Sequence, residues 1–448
     1  MTTTQAAPIV SLQAPKDVSL NEIEAELTKI WQEYGGNDST APAAIRATTF
    51  TFVVYEPEET QHMLAALGFY TGPIDGIFGP QMFSAIKAAQ KAYGLPRTGK
   101  LDVETQTKIR EEFLSLSQDQ IASYSSGGQN YNVADAIAAA NPCRILALCP
   151  ISGEDTGVKA QVSAYCPVNK RSQNTLVCCE YITLTGTPAA LERISGIIEE
   201  LLIPELPKFL WWKATPDQNN PLFSRLANNS STVIVDSSTF SDPSNCLMAI
   251  AELTEQGLSM ADLNWRRLAA WQELTAAAFD PPERRSAIKE IDRITIDYER
   301  GNSAQALLFL GWVASRLQWR PVSFQQNQDE YQLIKVQFVA PDHRPVEAEL
   351  AAIPLADPGE VIGDLIALRL ASTNLKADCC TVLCSESTGC MRMEAGGIAQ
   401  SARTYQVTPL SDQKTEYLLS QQLQRWGREM LYEESLRMTD QILRLANQ

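Results

Sequence analysis

Strand-like and helical segments alternate along this chain from residue 142 to about residue 328. Short β-branched and aromatic runs such as RITIDYE (residues 293–299) are followed by helical stretches such as AQALLFLGWVASRL (residues 304–317). Because parallel strands need a crossover between them, usually a helix, the alternation predicts an α/β domain with a partly parallel, mixed sheet. After residue 329 strands follow one another with short connections. This pattern predicts a β-sheet and then a long helix over residues 412–446.

Composition divides the N-terminal third of the chain into shorter pieces. Residues 1–19 are small and polar and predict a disordered tail. Residues 117–141 are rich in Ser, Gly and Asn and predict a linker. The predicted fold class is α/β, or α+β over the whole chain. The predicted division is 1–19 tail, 20–57 helix and connector, 58–116 helical module, 117–141 linker, 142–328 α/β domain and 329–448 β-rich subdomain with a C-terminal helix.

The charge balance excludes several classes of partner. The chain carries 53 acidic against 37 basic side chains, a formal net charge of −16. A nucleic-acid binder needs a basic surface that displaces counterions from phosphates, and an anionic membrane repels an acidic protein. The first twenty residues lack a cationic stretch followed by an apolar run, the pattern of a secretory signal. We therefore expect a cytoplasmic protein that binds neither nucleic acid nor membrane.

The sequence offers little material for catalysis. Its two histidines, His62 and His343, fall in different predicted domains, and neither lies in a known nucleophile motif. A Gly-rich phosphate or dinucleotide loop is absent from the sequence. The adjacent pair Cys379-Cys380 and the nearby Cys384 supply one zinc knuckle by spacing, whereas a structural zinc site usually needs two. We predict no catalytic residue, no cofactor and no bound metal.

A compact helical module occupies residues 58–116. Two helical stretches flank the turn-rich string GPIDGIFGP (residues 72–80), and a third begins after Asp102, which is placed as its N-cap. This order of helix, Gly-rich turn and helix resembles the peptidoglycan-binding-like domain. The resemblance implies a three-helix module and leaves one alternative function open, a peptidoglycan- or glycan-binding protein. We interpret the module as a scaffold for protein contacts.

Rare tryptophan-rich strings characterise the remainder of the chain. They are LPKFLWWKATP (206–216), VIVDSS (233–238), MADLNWRRLAAWQELTAAAFDPP (260–282) and GWVASRLQWRP (311–321). In this order they resemble the OpcA family, the glucose-6-phosphate dehydrogenase assembly proteins, over roughly residues 20–448. The resemblance implies a non-catalytic partner that binds the dehydrogenase, promotes its active oligomer and raises its activity in the oxidative pentose phosphate pathway. It also implies control by thioredoxin through cysteines.

Tryptophan and arginine in these strings are candidates for partner binding, because both are enriched at interface hot spots. They are equally good core fillers, and core packing is the favoured interpretation at any single tryptophan. Trp211 and Trp212 are adjacent in the sequence. Neighbouring residues of a strand face opposite sides, so at most one of these two tryptophans can anchor a partner. The candidates are Trp211, Trp212, Trp265, Arg266, Arg267, Trp271, Arg316, Trp319 and Arg320.

A redox switch is the second candidate site. Cys384 and Cys390 bracket the five residues SESTG, and such a loop in a hairpin can bring its flanks within the roughly 4.4–6.8 Å Cα separation of a disulfide. The resemblance to a thioredoxin-controlled family strengthens this hypothesis, and two unpaired thiols remain the alternative. The cysteines between residues 143 and 179 can pair across neighbouring strands, but packing as small buried hydrophobes is favoured for them.

Overall fold

The chain forms two compact units, Met1–Val235 with Thr415–Gly427, and Asp236–Lys414 with Arg428–Gln448. We call them unit one and unit two. The division falls inside the segment 142–328 that the sequence predicts as one domain. The computed structural model describes residues 9–34, 43–46, 48–56, 60, 63–64, 67–70, 80–101, 103–115, 142–150, 155–167, 175–240, 242–282, 284–327, 331–354, 361, 363–374, 379–385, 390–396, 404–409 and 415–447.

Unit one is built on a mixed sheet with helices in its crossovers. Its strands are β1 Ile9–Val18, β2 Ala43–Arg46, β3 Thr51–Tyr55, β4 Arg144–Pro150, β5 Lys159–Pro167, β6 Thr175–Gly186, β7 Lys208–Trp212 and β8 Thr232–Val235. Its first helices are α1 Ile23–Tyr34, α2 Pro80–Ala92, α3 Val103–Leu114, α4 Pro188–Arg193, α5 Ser195–Leu201 and α6 Pro221–Asn228.

The strand order of unit one is β1-β5-β6-β4-β3-β7-β8, and β2 also pairs with β6. Neighbours from β6 to β8 are all parallel. Counted along the chain, these five strands lie in the order 3-2-1-4-5, which is the doubly wound arrangement. The predicted α/β class with a partly parallel sheet is confirmed.

Strand β1 corrects the prediction of a disordered tail over residues 1–19 for its own residues, Ile9–Val18; residues 1–8 lie outside the described part of the chain. The strand pairs antiparallel with β5, with Val10 opposite Cys166 and Val18 opposite Ala160. Register shifts at Gln13 interrupt the apolar alternation by which a strand is recognised in a sequence. The partner strand lies about 150 residues away along the chain, so local composition could not reveal this pairing.

The helical module has its own apolar core. Met82 and Ile86 of α2 pack with Ile109 of α3, and all three are essentially inaccessible to solvent. Gln90 ties the next loop to this core, since its amide nitrogen donates to the hydroxyls of Thr98 and Thr105 at 3.0 Å each. Residues 72–79 of the GPIDGIFGP string and the predicted N-cap at position 102 lie outside the described residues.

Unit two is built on an eight-stranded sheet of order β11-β12-β13-β10-β14-β15-β16-β17, in which only β10 and β13 are parallel. That parallel pair spans the predicted boundary near residue 328, which explains why the segments on both sides belong to one unit. The eight strands of this sheet are β10 Arg293–Glu299, β11 Arg320–Gln326, β12 Ile334–Val339, β13 Pro345–Ile353, β14 Leu365–Ala371, β15 Cys379–Ser385, β16 Cys390–Gly396 and β17 Thr404–Pro409. Unit two also contains the short strand β9 Met260–Asp262, which is not part of this sheet. The remaining helices are α7 Pro243–Glu255, α8 Leu263–Arg267, α9 Ala269–Phe279, α10 Ala304–Arg316, α11 Thr415–Leu423 (in unit one) and α12 Met430–Arg444.

The long C-terminal helix predicted over residues 412–446 is interrupted. Helix α11 ends at Leu423 and α12 begins at Met430. Between them Gly427 has a φ of +113°, a conformation that helices exclude and that glycine adopts most easily. In the described part of the chain, no helix combines the length and the apolar character needed to cross a bilayer.

Candidate functional site

The carboxyl ends of β3 and β7 lie where the strand order of unit one reverses, the position at which doubly wound sheets bind ligands. Here Tyr55 and Trp212 stack on each other, with ring centroids 3.8 Å apart and both side chains buried. Lys213 Nζ donates to the two carboxylate oxygens of Glu56 at 2.6 and 2.7 Å. The polar and aromatic groups of these side chains are therefore occupied by contacts with one another. In the sequence, the segment after β3 runs into the helical module, and no Gly-rich phosphate turn follows the strand.

Trp211 and Trp212 belong to this buried edge. Trp211 lies nearly parallel to Phe52 at 6.3 Å, and the Lys213 ammonium sits 4.2 Å from the centroid of its ring. Trp212 also packs against Phe223, and its indole nitrogen donates to the Thr215 carbonyl at 3.3 Å. They are only 2% and 1% exposed. Both tryptophans, proposed from the sequence as partner anchors, are core residues in this structure.

In unit two the string ADLNWRR folds into a buried polar network. Both terminal nitrogens of Arg267 donate to Asp236, at 2.7 and 2.8 Å. Asp262 Oδ1 accepts from the backbone N–H groups of Ser237, at 3.0 Å, and Asn264, at 2.9 Å. All of these residues are buried. The network joins the residues after β8 to the start of α8, so it has a structural role.

Two buried carboxylates compete for the Arg267 charge. Burial alone would raise the pKa of Asp236, but the Arg267 guanidinium and the Ser238 hydrogen bonds lower it. For Asp262, burial and the neighbouring Asp236 charge raise the pKa to about 6. Asp262 therefore changes its charge close to neutral pH.

The remaining aromatic candidates are also buried. Trp265 donates its indole N–H to Glu429 at 3.1 Å and packs on Tyr432 at 5.7 Å between ring centroids. Arg266 forms an ion pair with the same glutamate at 3.4 Å. Trp271 of α9 and Trp319, which packs on Phe338, are 1% and 3% exposed. Burial removes all of these side chains from direct contact with a partner in this conformation.

Arg316 and Arg320 are the two predicted partner-binding residues that reach the surface. Arg316 ends α10, and its side chain is 44% exposed and paired with Glu434 of α12. Arg320 is exposed at the start of β11, an edge strand of the unit-two sheet, which also carries the exposed Val322. A sheet edge with exposed side chains is a common docking feature.

Trp426 lies within the stretch 412–446 that the sequence predicts as one long helix. It shares a helical spacing with Leu419 and Leu423, which favours an apolar stripe on one long helix. The two leucines are buried, whereas Trp426 is 67% exposed after the end of α11. Gly427, the next residue, was the available signal, because glycine commonly follows a helix end.

The two predicted switch cysteines lie on neighbouring antiparallel strands, β15 and β16. The register pairs Cys384 with Met391 and Cys390 with Ser385. Successive positions of a strand face opposite sides, so positions 384 and 390 lie on opposite faces of this ladder. Their side chains and the loop 386–389 are outside the described residues. The disulfide stays a prediction, and it requires the pairing to shift by one residue.

Among the other cysteines, disulfide-bonded and reduced side chains both occur. Cys178 on β6 is disulfide-bonded, which contradicts the expectation that it packs as a thiol. Reduced thiols are found at Cys143, Cys179, Cys246 and Cys380, which are buried as expected, and at the partly buried Cys149. Burial, reinforced by the Glu56 charge, raises the pKa of Cys149 to about 12, so this thiol is unreactive at neutral pH.

The histidines do not assemble a catalytic centre in the described part of the chain. His343 is exposed in a turn with a φ of +66°, and His62 lies outside the described residues. Among the residues whose placement is described, no group of three or more His, Cys, Asp or Glu side chains could hold a metal ion. The side chains of Cys379 and Cys384 lie outside the described part of the chain.

Family models match three parts of the sequence. The "Glucose-6-phosphate dehydrogenase subunit N-terminal domain" matches residues 134–252, and the corresponding C-terminal domain matches residues 258–436. The "Putative peptidoglycan binding domain" matches residues 56–109. The sequence-based identification of the helical module and of the larger family is confirmed.

Similarity to whole proteins agrees with the domain matches. The "Putative OxPP cycle protein OpcA" of Nostoc punctiforme is 62% identical, covering 99% of this chain and 97% of that protein. The protein of the same name from Synechocystis sp. is 57% identical, covering 100% and 96%. Among solved structures, the UDP-N-acetylglucosamine 3-dehydrogenase GnnA from Acidithiobacillus ferrooxidans matches 57% of this chain and 86% of its own, at a TM-score of 0.34 and 10% identity, too weak to bear on function. The chain therefore belongs to the OpcA family of glucose-6-phosphate dehydrogenase assembly proteins.

Proposed function

We propose that this chain is a non-catalytic cytoplasmic partner of glucose-6-phosphate dehydrogenase that binds the enzyme and promotes its active oligomer. The observation that carries the proposal is the pair of matches to dehydrogenase-subunit domains over residues 134–252 and 258–436. A partner can raise activity only if it binds the active state of the enzyme more tightly than the inactive state.

The filled ligand edge of unit one supports a non-catalytic role. In doubly wound enzymes the cofactor occupies the crevice at the carboxyl ends of the strands. In this chain Tyr55, Glu56, Trp212 and Lys213 make close contacts with each other there. The peptidoglycan- or glycan-binding alternative is not favoured, because full-length similarity connects the chain to OpcA proteins and the module covers only residues 56–109.

For partner binding we propose Arg316 and Arg320, the two predicted contact residues that are exposed. Arginine combines a charge with a planar, weakly hydrated group and is enriched in interfaces. Trp265, Arg266 and Arg267 support this role indirectly, because they hold the fold of unit two from its interior.

We also propose that Cys384 and Cys390 make activation redox-sensitive. Oxidation joins the two thiols in a disulfide and releases two electrons and two protons; the disulfide of thioredoxin accepts them, and reduced thioredoxin reverses the step. Helix α9, which carries Trp271, packs on both β15 and β16. A register shift in this hairpin would therefore be transmitted to the core of unit two.

Dehydrogenase activity measured with and without this chain, after reduction and after oxidation, tests the proposal. We expect activation together with a larger dehydrogenase oligomer in light scattering, and we expect both to change with redox state. Cys384→Ser should abolish the redox dependence, whereas Cys246→Ser, at a buried reduced thiol, should retain it. Activation without redox dependence would discard the switch, and no activation in either state would discard the proposed function.

A further inference from the structure

One tryptophan of the chain stands apart from the other seven. All eight lie in the described residues, and only Trp426 has most of its side chain in solvent, at 67%. Tyr417, on α11 just before it, is 48% exposed, and Arg425 and Gln424 are exposed as well. We call these four residues the α11 surface. Isolated exposed apolar residues are ordinary, but tryptophan, tyrosine and arginine are residue types enriched at binding hot spots.

The α11 surface is carried by a well-anchored helix. On the opposite side of α11, Leu419 and Leu423 are 0% and 1% exposed, and Leu418 is also buried. Positions 417 and 424 lie seven residues apart, two helical turns, and therefore share one face. Tyr417 is thus presented by a helix whose other face is buried, and Trp426 follows shortly after the end of that helix.

Hydrogen bonds also fix the orientation of the exposed indole. Trp426 Nε1 donates to the carbonyl of Leu423 at 3.3 Å, one of the carbonyls that a helix end leaves without an intrahelical partner. The Arg425 N–H donates to the Gln422 carbonyl at 3.0 Å, which tightens the last turn. At Gly427, with a φ of +113°, the chain leaves the helix. A group held in this way loses little conformational entropy when a partner covers it.

We propose that the α11 surface is a docking site for the dehydrogenase, with Trp426 as its central anchor; this inference rests on the function proposed above. Residues 415–427 hold one acidic and one basic side chain, while the whole chain carries −16. The surface is thus a nearly neutral patch on an acidic protein, and Arg425 suits a carboxylate on the partner. A second copy of the chain, with the same −16 charge, is the less favourable occupant because the two copies repel each other.

Binding of purified dehydrogenase to the full-length chain and to Trp426→Ala tests the inference. Loss of a central anchor should weaken binding at least about 30-fold. Tyr331→Ala, which removes another aromatic side chain that is 48% exposed, is the matched control and should bind within about threefold of the unmodified chain. Arg425→Glu should slow association, and the effect should shrink at high salt. Thermal unfolding of each variant verifies that the fold is retained.

The possible outcomes separate this inference from the proposed function. If the unmodified chain binds and Trp426→Ala binds equally well, the α11 surface is wrong and the function stands. If the unmodified chain does not bind the dehydrogenase in either redox state, both the proposed function and the proposed docking of the dehydrogenase are wrong. If sedimentation velocity shows that Trp426→Ala abolishes self-association of the chain alone, the occupant is a second copy and the proposed partner is wrong.

Discussion

Two buried arginines, one in each unit, are embedded in different ways. Arg144 of β4 pairs with Glu180, whose side chain is 1% exposed, and with Glu24 of α1, whose side chain is 52% exposed. Arg267 of α8 pairs with Asp236, while the neighbouring Asp262 is 1% exposed. The second carboxylate near Arg144 therefore reaches water. Around Arg267 the partly buried Asp364 also contributes, but the second carboxylate beside Asp236, that of Asp262, is shielded from water.

Solvent access of that second carboxylate decides the electrostatic consequence. One guanidinium balances one buried carboxylate, and a second charge is tolerated where water solvates it. In unit two the second charge, on Asp262, is not solvated by water, so burial and the neighbouring Asp236 charge raise the pKa of Asp262 to about 6. The comparison indicates that unit two contains a buried carboxylate whose charge changes near neutral pH.

The largest effect is expected from Arg267→Met. The variant would leave Asp236 and Asp262 buried without the guanidinium that both face, and breaking such a buried pair costs about 3–5 kcal/mol of unfolding free energy. Urea denaturation measures the loss. Adding Asp236→Asn should recover part of it, because that substitution removes the uncompensated charge. A loss below about 1 kcal/mol would mean that the pair does not stabilise unit two.

An intermediate and pH-dependent effect is expected from Asp262→Asn. The pKa of Asp262 is higher in the folded state, so the folded state binds its proton more tightly than the unfolded state. Its contribution to stability is therefore full below about pH 4 and is lost as pH rises through about 6, by about 3 kcal/mol.

An asparagine at this position keeps an oxygen for the two backbone N–H groups but cannot ionise. The variant should therefore gain stability relative to the unmodified protein as the pH rises from 4 to 7. Urea denaturation over this range measures the difference, and Asp280→Asn at an exposed position is the control. Parallel pH curves for Asp262→Asn and the unmodified protein would contradict the buried-charge interpretation.

The smallest effect is expected from Glu24→Gln in unit one. Because the Glu24 side chain is half in solvent, its ion pair with Arg144 should contribute less than about 1 kcal/mol, and less again at high salt. Arg144 keeps its hydrogen bonds to Glu180 and to the Leu201 carbonyl. Should this change cost as much stability as Arg267→Met, solvent access would not be what distinguishes the two clusters.

The fold class was accessible from the sequence because it depends on local periodicity. The run RITIDYE is strand β10, residues 293–299, and the alternation of strands and helices predicted a partly parallel sheet. Strand β1 was missed because its apolar alternation is broken by register shifts and its partner is distant along the chain. The break after α11 was missed because the apolar spacing continues through Trp426.

The sequence by itself determined the family, the layer architecture and which residue types are concentrated in the tryptophan-rich strings. Only the tertiary structure decided that Trp211, Trp212 and Trp265 are core residues and that Trp426 is exposed. The physical reason is that tryptophan suits a core and an interface equally well, since both remove its large apolar surface from water. Which of the two applies depends on what the rest of the chain packs against it, and a periodic pattern along the sequence does not contain that information.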